Sequence, residues 1–245
     1  MYYQIEETNV RLLGSMHIFP ADKADIPSWV TNACNWATRF VLECENPSST
    51  FGLADTDNNL NAMLPKPLLD WLINIWPRLG FQYGFESLHP SMVPIRLGQA
   101  GLNTVSGIEE YVHQNALHDQ KSIEYLETPS DFLDALNSAP IDDVVKSIEF
   151  VARNFDTRQL RLSLLHDAWI KLDRIRMWHV VGDTPMANIP SMHEAALLRR
   201  NRAWVNKIFE LLETNDPTLV VVGALHLCGP QNLEELVGKK LHRLI

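Results

Sequence analysis

Short apolar runs alternate with longer stretches of helical period along this chain. Val10 to Leu13 predicts a short strand that runs into Gly14-Ser15-Met16-His17, and Pro27 to Thr38 predicts a helix leading into a second strand, Phe40 to Glu43. Leu60 to about Arg96 is rich in Leu, Trp and Pro, the signature of helices interrupted by proline. Glu109 to Ala116 reads as helix, and Lys121 to Glu127 (KSIEYLE) as a third strand. Thr128-Pro129-Ser130-Asp131 then has the form of a helix start: a capping hydroxyl, a proline at the first position and an acid in the first turn. Pro140 to Ile175 is amphipathic at helical period, with Leu160, Leu164 and Leu165 expected in the core, and Glu194 to Leu212 is a clearer helix. Thr218 to Val222 is a continuous β-branched run of the kind found in strands buried on both faces, followed by Gly223-Ala224-Leu225-His226 and a Gly229-Pro230 turn into a short helix. Buried strands alternating with helices predict an α/β fold with a largely parallel or mixed sheet flanked by helices and a helical middle segment.

Composition adds limits. The chain has 245 residues, 46% of them hydrophobic, enough to bury a full core, and no linker or repeat divides it, so a single domain over 1–245 is expected. A net charge of -9 disfavours a nucleic-acid partner, whose phosphates call for clustered Lys and Arg. The basic run Arg199, Arg200, Arg202 is too short to change that. Three scattered cysteines, Cys34, Cys44 and Cys228, suggest neither a disulfide framework nor a thiolate metal knuckle and fit a reducing compartment. No apolar stretch approaches a membrane span, so no membrane partner is expected and the chain is read as cytoplasmic.

Candidate chemistry lies where predicted strands end. His17, Glu43, Glu127 and His226 each sit at, or just past, the C-terminal end of a strand, the edge where open α/β sheets bind ligands. Two imidazoles and two carboxylates can ligate a divalent metal, or can do acid–base work without one. Gly14 and Gly223 are expected to turn the backbone sharply after each strand and to approach a ligand closely. In the later helix, Leu197, Trp204, Ile208 and Leu211 repeat at helical spacing with Asn201 on the same face, so Asn201 needs buried partners. The remaining histidines, His89, His113, His118, His166, His179, His193 and His242, lack metal-ligand spacing. Neither a GxSxG elbow nor a P-loop is present.

Five segments, LLGSMH, VLECE, GIEEYVHQNALHDQKSIEYLET, LLRRNRAWVNKIFELL and LVVVGALHLCGPQNLEEL, resemble the TraB/GumN (PrgY) family, related to the Tiki proteins, in order and over nearly the whole chain. The resemblance implies a fold like that of the ChaN-like and erythromycin-esterase-like proteins, with both GxxH motifs in one cleft. For the Tiki branch it implies metal-dependent peptidase activity. Its motif residues fall here on His17, His226, Glu43, Glu127, Arg200 and Asn201. One departure is Gly107-Ile108-Glu109, where family members commonly have Asp at the third position. The leading expectation is a hydrolase of a peptide or small-molecule substrate. His17, Glu43 and His226 would hold a divalent ion such as Mn, Co or Zn, with Glu127 as general base and Arg200 as oxyanion stabiliser. The rivals are a binding protein that sequesters a peptide signal or a tetrapyrrole, and a metal-free esterase whose histidine is oriented by Glu43 or Glu127.

Overall fold

The computed structural model describes residues 1–45, 52–54 and 59–245. Among these residues the strands are β1 (Tyr2–Ile5), β2 (Val10–Ser15), β3 (Ile18–Pro20), β4 (Arg39–Leu42), β5 (Thr104–Ser106), β6 (Ser122–Tyr125), β7 (Thr218–Gly223) and β8 (Leu241–Arg243). Six of them form one sheet in the order β6-β4-β7-β2-β1-β8, while β3 and β5 pair separately. The β6, β4, β7 and β2 neighbours are parallel; β1 is antiparallel to both β2 and β8. The fold is mixed α/β, as the sequence pattern predicts.

The centre of the sheet follows from residue type. Every residue of β7 is buried, as a Val-rich strand covered on both faces must be. Helix Ser28–Trp36 buries Trp29, Val30, Ala33 and Cys34 at helical spacing and carries the chain from β2 to β4. Pro129–Asn137 begins at the expected helix start, where Thr128 and Asp131 form a capping box, each satisfying the other's backbone N–H. The proline-rich middle segment folds into the helices Leu60–Met63, Lys66–Ile75 and Met92–Gln99 with 3-10 turns between them. Buried apolar side chains form two clusters, one around the sheet and one within the middle segment and the helices that cover it. The expected long helix from Glu194 is continuous but opens with a π turn, Glu194–Leu198, before the α-helix Arg199–Leu212. Its first turns pack in the middle-segment cluster through Ala195, and its later turns in the sheet cluster through Trp204, Ile208 and Leu211. The element thus spans the junction between the two clusters. Among the described residues no helix is long and apolar enough to cross a membrane, and the three cysteines are free.

Two expectations are corrected. Leu160 is 63% exposed, not core. The amphipathic stretch is broken at Phe155–Thr157, and the helix Arg158–Ile170 turns Leu162, His166 and Trp169 inward. Leu164 and Leu165 are half-buried. Gly14 and Gly223 do not turn the chain, because both lie within strands. At Gly14 an added Cβ would meet Met1, Leu227 and Ala224 at 3.0–3.2 Å, so its smallness serves packing.

His166 lies beneath β3 with its ring 5.0 Å from Phe19 in an edge-to-face contact, and neither ring nitrogen has a hydrogen-bond partner among the described residues. Burial, reinforced by the nearby Lys23 ammonium, lowers its pKa below the usual 6.5, while Asp167 and Asp22 oppose the shift. The folded state therefore favours the neutral ring; the stability this contributes is present above about pH 6.5 and is lost as pH falls. Between pH 7 and 5, His166→Phe is expected to lose less thermal stability than the wild type, as measured by circular-dichroism melting. An equal loss in both would show that His166 does not drive the effect.

Candidate functional site

The parallel register brings the strand ends together. Pairing of Leu42 with Tyr125 and with Val221 sets Glu43, Glu127 and Gly223 side by side, and the ladder continues through Glu127 N–H to Glu43 carbonyl at 2.9 Å. Pairing of Ser15 with Gly223 puts the two GxxH segments next to each other. All four residues expected at the sheet edge are there. Gly223 is their meeting point: a Cβ on it would lie 3.1 Å from Glu43 Oε1, 3.5 Å from His17 Nε2 and 3.6 Å from His226 Cδ2. The close backbone approach expected of Gly223 is therefore toward these side chains. Its N–H also donates to Glu43 Oε1.

The buried half of the site is organised by Arg200, 6% exposed. Its Nη2 donates to Glu43 Oε2 at 2.6 Å and to Glu127 Oε1 at 2.5 Å, and its Nε donates to both Glu127 oxygens at 2.9 and 3.2 Å. Nη1 donates to the Ala196 carbonyl at 3.4 Å and faces His226 Nε2 at 3.2 Å. Trp204 and Phe132 flank the guanidinium carbon at 4.7 and 4.8 Å. Trp204 Nε1 donates to Glu127 Oε2 at 3.1 Å, and its ring packs 4.5 Å from that of His226. Asn201, 1% exposed, holds its Oδ1 2.6 Å from His226 Nδ1 and donates through Nδ2 to the Gln231 carbonyl. With Nδ1 as the donor, the His226 Nε2 lone pair points at Arg200. Arg200 and Asn201 follow directly on the π turn, a helical irregularity frequent at functional sites.

The electrostatics follow this wiring. Burial works to raise the Glu43 carboxyl, yet Arg200, the two histidines and the Gly223 N–H together hold it below the usual carboxylate range. Burial raises the Glu127 carboxyl, only partly opposed by Arg200. Burial, with Arg200 and His17 nearby, lowers the His226 ring to about 3, so it is neutral. His17 has the opposite setting: the Glu109 carboxylate, 3.2 Å from its Nδ1, raises it to about 9.

Glu109 is the residue that sequence reasoning left out of the candidate set. It stands in the first turn of the helix Ile108–His118. The approach is forced by Gly107, whose N–H donates to the His17 carbonyl at 2.9 Å while Ile108 N–H donates to that of Met16 at 2.9 Å. Any Cβ at Gly107 would collide with the Met16 carbonyl oxygen. Ser15 Oγ donates to Glu109 Oε1, and the buried Oε2 has no hydrogen-bond partner among the described residues. The Gly107-x-Glu109 spacing was the available signal, since a glycine just before a helix that begins with an acid marks a close backbone approach next to a charge.

His17, Glu43 and Glu109 each offer a ligand atom within 4.8 Å of the others. The expected metal set named His226 in place of Glu109. His226 Nε2 is 3.7 Å from Glu43 Oε1, but it faces the Arg200 guanidinium. Glu127 and Arg200, expected as base and oxyanion stabiliser, have their polar atoms taken up by one another and by Glu43, Trp204, His226 and the Ala196 carbonyl. His17 faces outward, with 60% of its side chain exposed.

A family model described as the TraB/PrgY/gumN family matches residues 2–241. The chain belongs to this family. No curated protein and no solved structure matches it. In this TraB/PrgY/gumN chain the two GxxH histidines share one site with different environments, one enclosed against the Arg200 guanidinium, the other exposed beside the Glu109 carboxylate.

Removing one partner of a buried charge network typically costs about 3–5 kcal/mol, against at most about 1 kcal/mol for an exposed pair. Arg200→Ala is therefore expected to lower stability in urea unfolding by about 3–5 kcal/mol. Arg202→Ala, which breaks an exposed pair with Glu194, is expected to lower it by less than about 1 kcal/mol. Equal costs for the two substitutions would contradict the clamp.

Proposed function

We propose that this TraB/PrgY/gumN protein is a metal-dependent hydrolase of amide bonds in a peptide or small-molecule substrate. The observation that carries the reading is the convergence of His17, Glu43 and Glu109 around the unpartnered Glu109 Oε2. One imidazole and two carboxylates form a mixed donor set that suits Mn, Co or Zn, and an unpaired buried carboxylate oxygen is the kind of atom a cation satisfies. These residues fit the group, and His17, Glu43 and Glu109 would hold it. A bound divalent ion supplies Lewis acidity toward a carbonyl group and toward water.

The chain's own residues divide the remaining tasks. Arg200, fixed by Glu127, Trp204 and Phe132, keeps Glu43 ionised and aimed at Gly223. Asn201 sets the His226 ring so that its lone pair supports Arg200. Glu109 orients His17, whose exposed ring faces the side from which a substrate arrives. In this reading Glu127, Arg200 and Asn201 are positioning residues, and His17 and Glu109 stand nearest the reacting atoms.

A second reading keeps the pair and omits the metal, because the 3.2 Å contact between His17 Nδ1 and Glu109 Oε1 also suits a carboxylate-oriented imidazole acting on water. Metal analysis and peptide-library hydrolysis separate the two. The metal reading expects about one ion per chain, lost in His17→Ala and Glu109→Gln, with hydrolysis falling at least about a hundredfold in both and in EDTA. Hydrolysis that persists in EDTA but fails in Glu109→Gln would favour the metal-free pair. Full activity in both variants would sink both readings.

A further inference from the structure

A cavity of about 680 Å³ opens at the β1–β8 flank of the sheet, lined by Tyr3, Lys171, Arg174, Ile175, Trp178, Gly229 and Arg243 among others. Its charge stands out in a chain of net charge -9. The side chains of Lys171 and Arg243 make no hydrogen bond or ion pair among the described residues, whereas Arg174 is paired with Glu234 at 2.6 Å and lies 5.6 Å above the Tyr3 ring. The acid on this wall, Asp173, is committed to capping the helix Arg174–Val181 through the Arg176 N–H at 2.9 Å. Tyr3, Trp178 and the 73% exposed Ile175 add apolar surface beside the cations.

The cavity shares the sheet edge of the site. Tyr2 and Tyr3 pair with Leu13 and Leu12, near the end of β2 that leads to His17. Gly229 supports the Trp178 indole so closely that a Cβ there would lie 2.7 Å from the ring. Gly229 is three residues past His226, so their Cα atoms are at most about 11 Å apart.

We propose that this cavity is an anion subsite, taking the carboxylate or phosphate end of a small, part-apolar ligand whose reacting end lies at His17, Glu43 and Glu109. The proposal rests on the hydrolase reading for the reacting end, but the subsite itself is tested by binding. Calorimetric titration of the full chain with N-acetylleucine, its neutral amide and inorganic phosphate measures it directly. N-acetylleucine is expected to bind about tenfold or more tightly than the amide, which lacks the charge, and than phosphate, which lacks the apolar body. Lys171→Glu and Arg243→Glu are each expected to weaken N-acetylleucine about tenfold, with circular dichroism confirming the fold. Equal affinity for acid and amide, equal affinity for acid and phosphate, or unchanged binding in both charge reversals overturns the subsite. Binding retained in a protein that hydrolyses no peptide counts against the hydrolase reading alone. Hydrolysis without N-acetylleucine binding counts against the subsite alone.

Discussion

Two carboxylates cannot be buried side by side as anions unless a cation shares the space, and in this protein the cation is Arg200. Its fork reaches Glu43 and Glu127 at once, and Trp204 and Phe132 close over its faces. That arrangement couples the layers of the fold. Glu43 and Glu127 extend from neighbouring parallel strands, whereas Arg200 comes from a helix rooted in both apolar clusters. The sheet edge and the middle segment are therefore joined through a charge network as well as through apolar contact. Low dielectric strengthens each of these bonds and penalises any one left unmade, so the network favours a single arrangement.

This constraint explains which parts of the site could be read in sequence. His17, Glu43, Glu127 and His226 were legible because strand ends are legible: an apolar run stops, and the next polar residue must lie at the sheet edge. Asn201 was legible as a polar residue on an apolar helical stripe. Arg200 was legible as a group able to meet a carboxylate or a developing anion; that it joins two buried carboxylates at once depends on the two strands that bury it. Glu109 was marked only as a departure from the family's Gly-hydrophobic-Asp pattern, not as a site residue. Its place depends on a backbone contact between Gly107 and the Met16–His17 segment, some ninety residues earlier in the chain, and no periodicity encodes that contact.

The fold shows the same division. Strands β2, β4 and β7 announce themselves through apolar residues, and β6 through its alternation of polar and apolar positions, and they carry the site. Strands β1, β3, β5 and β8 are three or four residues long, with exposed positions in β5 and β8, and take their identity from their neighbours. Leu160 shows the limit of helical periodicity: the break at Phe155–Thr157 resets the register, and which leucine faces inward depends on where the new helix starts.

The two GxxH motifs are chemically alike in sequence and unlike in place. His226 is enclosed, its Nδ1 tied to Asn201 and its Nε2 facing a cation, an environment that keeps the ring neutral and makes it part of the scaffold. His17 stands outward beside a carboxylate that favours its charged form, an environment suited to exchange with solvent, an ion or a substrate. What separates the two is the first neighbour of each ring, Arg200 for one and Glu109 for the other. A cation next to a neutral imidazole repels a second cation, whereas two carboxylates next to an imidazole attract one. On electrostatic grounds, the carboxylates of Glu43 and Glu109 make the His17 side of Gly223 the anionic side of the site, and Arg200 holds that side in place from behind.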